Sequence, residues 1–309
     1  MRTYLKIKSP WSQLSVFLLA YAGTMILTSS VAMLIMMSKG VIISGKRGMD
    51  AFDLNDPAVV SLLKWIQGAS SIGIYLLTGM IYAWFSFRHR PIWFLGFHKP
   101  EKTVFYALAL GLALLSFPLA GWLGEVNQHI PLPASLISAE KDADKQVEAF
   151  MKAGGTTGVL SNLFVMALLP AICEEACFRG SLQRILIHLF KSPWLGILVA
   201  AALFSAFHFQ FQGFLPRFFL GVVLGALYWY SGSLWVSILA HFVINGVQVL
   251  VASGYSKTAL ENASIPVYMV ILSAVLTGFL LKKLAGESWM TYAKVYEVDA
   301  VNEYNQFLS

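Results

Sequence analysis

The sequence predicts an all-α, polytopic membrane protein built as a bundle of about eight spanning helices. Three observations predict it. Hydrophobic residues make up 57% of the 309-residue chain and charged residues only 12%, against about 25% charged in soluble domains. The charges are unevenly spread and collect between long apolar runs. Those runs are of the length, about 18 residues or more, that crosses a hydrocarbon core. One such run would fit a buried core helix, but eight leave no soluble fold able to bury them. Backbone groups find no water in lipid, so helices are the expected form.

The spans are expected near 11–37, 65–87, 103–124, 157–176, 193–211, 215–231, 233–253 and 265–281. The first begins after a basic start and contains Ala20-Tyr21-Ala22, a pattern that also suits a signal peptide. Its apolar run continues to about Met37, too long for a signal, so the helix is expected to be retained. The joint Ser231-Gly232-Ser233 is so short that its flanking helices must be antiparallel neighbours. Segments 38–64 and 125–156 are the sizeable outer loops, and Ala139–Met151 in the second has the composition of a short surface helix.

The net charge of +6 does not point to nucleic acid, because the basic residues sit at the mouths of spans. Arg2, Lys6 and Lys8 precede the first span. Arg88, Arg90, Lys99 and Lys102 separate the second and third. Arg179, Arg184 and Lys191 follow the fourth, and Lys282 and Lys283 the eighth. In an eight-span arrangement these fall on one side, which the positive-inside rule makes cytoplasmic, with both termini inside. The expected location is the cell membrane. Lys39, Lys46 and Arg47 fall on the other side and count against that orientation. The chain reads as one membrane domain in three parts: 1–156 with three spans and the outer loops, 157–253 with four spans, and 254–309 with the last span and a tail. Cys173 and Cys177 are four apart on one helix face, where disulfide geometry is poor, so they are expected to be packing residues.

Ionisable residues inside a span are expensive and mark function by default. Here that rule selects Glu174 and Glu175 at the end of the fourth span, His208 near the end of the fifth and His241 in the seventh, with Asn245 one turn later. Glu175 and Arg179 are four apart and share a helix face, so they can pair. Glu174 is rotated about 100° away. The simplest division makes Glu175–Arg179 a structural pair and leaves Glu174 facing the interior, where a carboxylate suits general-base work. A plain helix-end charge cluster with Arg179 and Arg184 explains the same acids. His241 and Asn245 share a face too, and interhelical hydrogen bonding accounts for them equally well. His208 lies four residues after Phe204, among aromatics that also suit an interface position. Together, one carboxylate, two histidines and an amide can converge in a bundle core. A carboxylate and a histidine can hold and deprotonate a water, and a second histidine with an amide can donate to the resulting oxyanion.

Glu174-Glu175-x-x-x-Arg179, Phe204-x-x-x-His208 and His241-x-x-x-Asn245, in that order, resemble the CAAX-protease and bacteriocin-processing proteins, also called Abi proteins, which include the type II CAAX prenyl endopeptidases. Phe178-Arg179-Gly180, Gly221, Gly225 and Ser231-Gly232-Ser233-Leu234-Trp235 also look like that family, and the resemblance covers about 157–250. It implies an intramembrane glutamic endopeptidase without a cofactor. Glu174 with His208 would activate water, His241 and Asn245 would stabilise the oxyanion, and Glu175, Arg179 and Phe204 would support them. The implied partners are the lipid bilayer and a protein or peptide substrate, prenylated or membrane-anchored substrates included.

Three alternatives stay open. Glu174, His208 and His241 could instead bind zinc with one open position, although the helical His-Glu-x-x-His signature is absent. The fold could serve as a non-catalytic scaffold or immunity protein. A transporter is a third reading, but its frequent inverted halves are not evident. One depth problem also arises: Glu174 lies five residues before Arg179, whereas His208 lies well into the next span. Either the fourth helix continues past Arg179, running on to about Lys191, or the fifth is tilted or starts later.

Overall fold

The computed structural model describes residues 5–87, 90–152, 155–254 and 265–297. Arg2, Arg88 and the tail beyond residue 297, Tyr304 included, lie outside the described residues. The described chain is helical, and its only extended pairing is an isolated bridge between Leu5 and Phe87. Ten rods carry the architecture: α1 Pro10–Ser38, α2 Pro57–Ser86, α3 Val104–Leu115, α4 Phe117–Gln128, α5 Ala134–Lys152, α6 Gly155–Phe190, α7 Pro193–Ala206, α8 Phe214–Ser231, α9 Leu234–Gly254 and α10 Val267–Glu287.

All eight expected apolar segments are helices, but among the described residues six are long and apolar enough to cross a membrane, or seven if the bent pair α3–α4 is one span, against the eight expected. The pair bends by 40° at Ser116, where Pro118 removes a backbone donor and crowds the preceding turn. α7 has 14 residues, about 21 Å at the helical rise, short of the roughly 30 Å core. It ends at Ala206 rather than near 211 because the chain turns there, with Phe209 at φ 54°. α2 begins at Pro57 rather than near 65: Asp56 accepts from the Ala58 amide and Pro57 occupies the first turn, a start signal readable in the sequence. Several such helices make this a multi-pass membrane protein, and large apolar side chains cover α1 and α10 where they face outward.

α6 is the rod that sets the site. Its 36 residues run past Arg179 to Phe190, which removes the depth problem. Two wider π turns interrupt it, Leu163–Leu168 and Phe178–Gln183. The first precedes Pro170, whose ring would clash in a regular helix. The second follows the adjacent acids, and such turns often mark functional sites. Lys191 at φ 52° closes the rod, and Ser192 then caps α7 by accepting from the Leu195 amide.

Close approach draws α7 and α8 onto α6. A Cβ on Gly196 would meet Ile187 backbone atoms at 2.7 and 2.8 Å, and one on Gly225 would meet the Gln183 amide oxygen at 2.6 Å. Gln183 Nε2 donates to the Gly225 carbonyl at 3.0 Å. Such small-residue contacts let helices pack where lipid removes the hydrophobic drive between them. α8 and α9 are joined through Gly232, whose φ of 68° makes the left-handed turn of that short joint. α1 packs on α2 through polar bridges, Thr24 Oγ1 with Thr78 Oγ1 at 2.7 Å and Tyr82 Oη donating to Gln13 Oε1 at 3.0 Å. Cys173 and Cys177 are buried and free. The amphipathic α5 extends the surface helix expected at 139–151 and buries Phe150 against Val59, Val60 and Leu63. Of the tail, Tyr296 Oη donates to the Arg184 carbonyl at 2.9 Å, docking that segment on the end of α6.

Candidate active site

The three motifs meet in the core. Glu174 and Glu175 come from the middle of α6, Phe204 from the end of α7 and His208 from the turn beyond it, and His241 and Asn245 from α9. A cavity of about 480 Å³ is lined by Glu174, Phe204, His208, Arg217, His241 and Asn245, a volume in the range of small-ligand sites. Glu174 keeps 11% of its side chain exposed and His208 28%, so solvent reaches both groups.

The division between the two acids follows the helix geometry. Glu175 points away from the cavity and is fully buried, and Arg179 Nη1 donates to its Oε1 at 2.5 Å. The guanidinium also donates to the Gly221 carbonyl at 3.2 Å and lies over the Phe204 ring at 4.4 Å. Glu175 has a second task that the spacing does not reveal. His241 Nδ1 donates to the same Oε1 at 2.8 Å, so one carboxylate ties α6 to α9 and orients a histidine of the cavity.

His208 is fixed in a parallel way. Its Nδ1 donates to the Phe204 carbonyl at 2.8 Å, since a carbonyl can only accept. Both histidines therefore present Nε2 toward Glu174: His208 Nε2 lies 4.0 Å and His241 Nε2 3.9 Å from Glu174 Oε2. These are too long for direct hydrogen bonds, and a water between them would lie within bonding reach of both. Phe204 is the packing hub, with its ring edge-on to His208 at 4.9 Å and to His241 at 5.9 Å. That contact explains the aromatic four residues before the histidine. Among the described residues, no three His, Cys, Asp or Glu side chains are gathered as a metal-holding group.

Two charged residues escape the sequence reading. Lys64 is buried in α2, its ammonium 5.7 Å from the Phe150 ring centroid. Arg217, in the first turn of α8, lines the cavity itself. Arg217 lies in an expected apolar span, so the rule that selected Glu174 reaches it, whereas Lys64 falls in a segment expected as loop.

Residues 156–247 of this membrane bundle match the family model described as Rce1-like, type II CAAX prenyl endopeptidase Rce1-like. That family is one of membrane endopeptidases, and the match spans α6 through most of α9, the stretch that carries all three motifs. Among curated proteins, the chain is 30% identical over 92 residues to the "Uncharacterized protein YpbD" of Bacillus subtilis (strain 168), covering 28% of this chain and 44% of that protein. It is 29% identical over 124 residues to the "Uncharacterized 24.3 kDa protein" of Escherichia coli, covering 38% of this chain and 51% of that one. The chain thus spans about half the length of the curated relatives it matches. No solved structure matches it significantly.

Proposed function

We propose that the protein is an intramembrane glutamic endopeptidase that hydrolyses a peptide bond near the membrane using a water activated by its own side chains. The observation that carries this reading is the Glu174 carboxylate facing two histidine Nε2 atoms at 3.9 and 4.0 Å across a solvent-reachable cavity. A water held between Glu174 and His208 donates to both and turns a lone pair toward the carbonyl carbon of a bound peptide. Glu174 takes its proton as attack proceeds and passes it to the leaving nitrogen. The oxyanion forms beside α9. There His241, held at Nδ1 by Glu175, faces the oxyanion with Nε2, and the Asn245 amide stands beside it as a donor. Arg179 balances the charge of Glu175, and Phe204 holds both imidazoles in place. Convergence on one cavity favours this over a scaffold, whose polar residues need not share a face. The substrate is a protein or peptide, prenylated or membrane-anchored ones included, cut at the cell membrane.

A zinc-dependent version has one observation in its favour. Both histidines are held through Nδ1 with Nε2 free, the outer-shell pattern of metal-ligating histidines. A tetrahedral zinc with donors at about 2.0–2.1 Å would bring them to about 3.3–3.4 Å apart. The set would have to close by about half an ångström from its observed 3.9–4.0 Å. The water-bridged reading needs no such movement and is preferred.

Asn245→Ala separates the roles. Loss of one oxyanion donor is expected to lower kcat by about 10²–10³ with little change in KM. Steady-state kinetics of the purified variant on a fluorogenic peptide check this. Unchanged kcat would remove Asn245 from the oxyanion site.

A further inference from the structure

His208 stands two residues beyond the end of α7, so a turn and not a helix carries it. The next residue, Phe209, has a φ of 54°. A bulky side chain keeps that left-handed conformation only where its surroundings hold it. Part of what holds this turn comes from outside residues 156–247, the stretch that matches the family model.

Two such side chains lie in the segment 125–156, expected as an outer loop. Asn127, next to last in α4, reaches both ends of the turn's exit: Nδ2 donates to the Phe211 carbonyl at 2.8 Å, and Oδ1 accepts from the Leu215 amide at 2.6 Å. A side-chain amide offers the donor and the acceptor side by side that this bridge needs. The Leu215 amide is one of the orphan donors at the start of α8, so Asn127 also anchors that helix. Glu140, on α5, accepts from the Gln212 amide through Oε1 at 3.0 Å. Asn127 is 2% exposed and Glu140 8%. Arg217 offsets the charge of Glu140, and its Nη1 donates to the Gln210 carbonyl at 3.0 Å. The backbone just after His208 is thus gripped from α4, α5 and α8. His208 Nε2 makes no direct bond to Glu174, 4.0 Å away, so the placement of the turn sets that gap. A misplacement of about 1 Å caused by a distant change costs up to about 10²-fold in rate.

We infer that Asn127 and Glu140 are positioning residues, which clamp the turn after α7 and thereby set the distance of His208 from Glu174. The inference rests on the peptidase reading for its kinetic readout, whereas the clamp itself is read without substrate.

The test uses full-length protein in detergent, unmutated and as Asn127→Ala, Glu140→Ala and Glu140→Gln. Hydrogen–deuterium exchange of residues 207–215 is followed by mass spectrometry, beside steady-state kinetics on a fluorogenic peptide. Both alanine variants are expected to speed exchange in that segment and to lower kcat by about 10–100-fold with little change in KM. Asn127→Ala should do more, since it loses two bonds. Glu140→Gln keeps an acceptor oxygen for the Gln212 amide and should recover most of both readouts, a rescue that loss of fold would not show. Should Asn127→Ala fail to fold, the two Glu140 variants decide. Unchanged exchange in the alanine variants would overturn the inference. So would faster exchange with kcat unchanged, a rise in KM in place of a fall in kcat, or a Glu140→Gln protein as impaired as Glu140→Ala. If exchange responds as expected but the unmutated protein cleaves no peptide, the clamp on His208 stands and the peptidase reading fails.

Discussion

Glu174→Gln is expected to abolish proteolysis while the protein remains folded in membranes. Gln keeps the shape and removes the base, and general-base catalysis contributes about 10²–10⁴-fold. Activity should fall by at least that factor, since the water also loses its anchor opposite His208 Nε2 at 4.0 Å. Stability should hold or rise, because the change removes a largely buried charge that makes no direct ion pair closer than 3.9 Å. Cleavage of a fluorogenic peptide, read beside the melting temperature in detergent, checks both halves. An active Glu174→Gln protein would end the glutamic mechanism.

Arg179→Ala is expected to do the reverse, costing fold before chemistry. Arg179 is 1% exposed and Glu175 fully buried, so truncation strands a charge. Breaking a buried pair from one side costs about 3–5 kcal/mol. The variant also loses the Gly221 carbonyl bond and the contact over Phe204. Yield from membranes and melting temperature should both fall well below those of Glu174→Gln. Neutralising both partners, Glu175→Gln with Arg179→Gln, should recover part of the stability by removing the stranded charge. It should not recover activity, because His241 loses the carboxylate at its Nδ1. Equal stability of Arg179→Ala and Glu174→Gln would contradict the pairing.

These contrasting expectations reflect how the site was legible in the sequence. The bundle could be read from apolar runs, and the separate facing of Glu174 and Glu175 from helical period alone. The long α6, ending at Phe190, is one of the two ways in which the sequence allows the depths of Glu174 and His208 to be reconciled. Three features were missed for distinct reasons. The Asp56–Pro57 start of α2 lay in a stretch polar enough to read as loop, which also hid Lys64. Arg217 sits in an apolar segment of the same kind as His241, but so near its start that it also fits the mouth of a span. The Glu175–His241 bond joins residues 66 apart in sequence, and no local period reports such a link. It makes Glu175 more than the partner of Arg179, since the two functions share one carboxylate oxygen.

On the glutamic reading, protein groups alone activate the water. The most direct measurement combines metal content and cleavage on one sample. Full-length protein is purified, treated with chelator, analysed for metals and placed in liposomes with a labelled peptide, and new termini are read by mass spectrometry. The account predicts cleavage with zinc well below one per chain, unchanged by chelation. Cleavage that disappears on chelation and returns with about one zinc per chain, as a catalytic zinc site requires, would contradict it and make Glu174, His208 and His241 metal ligands.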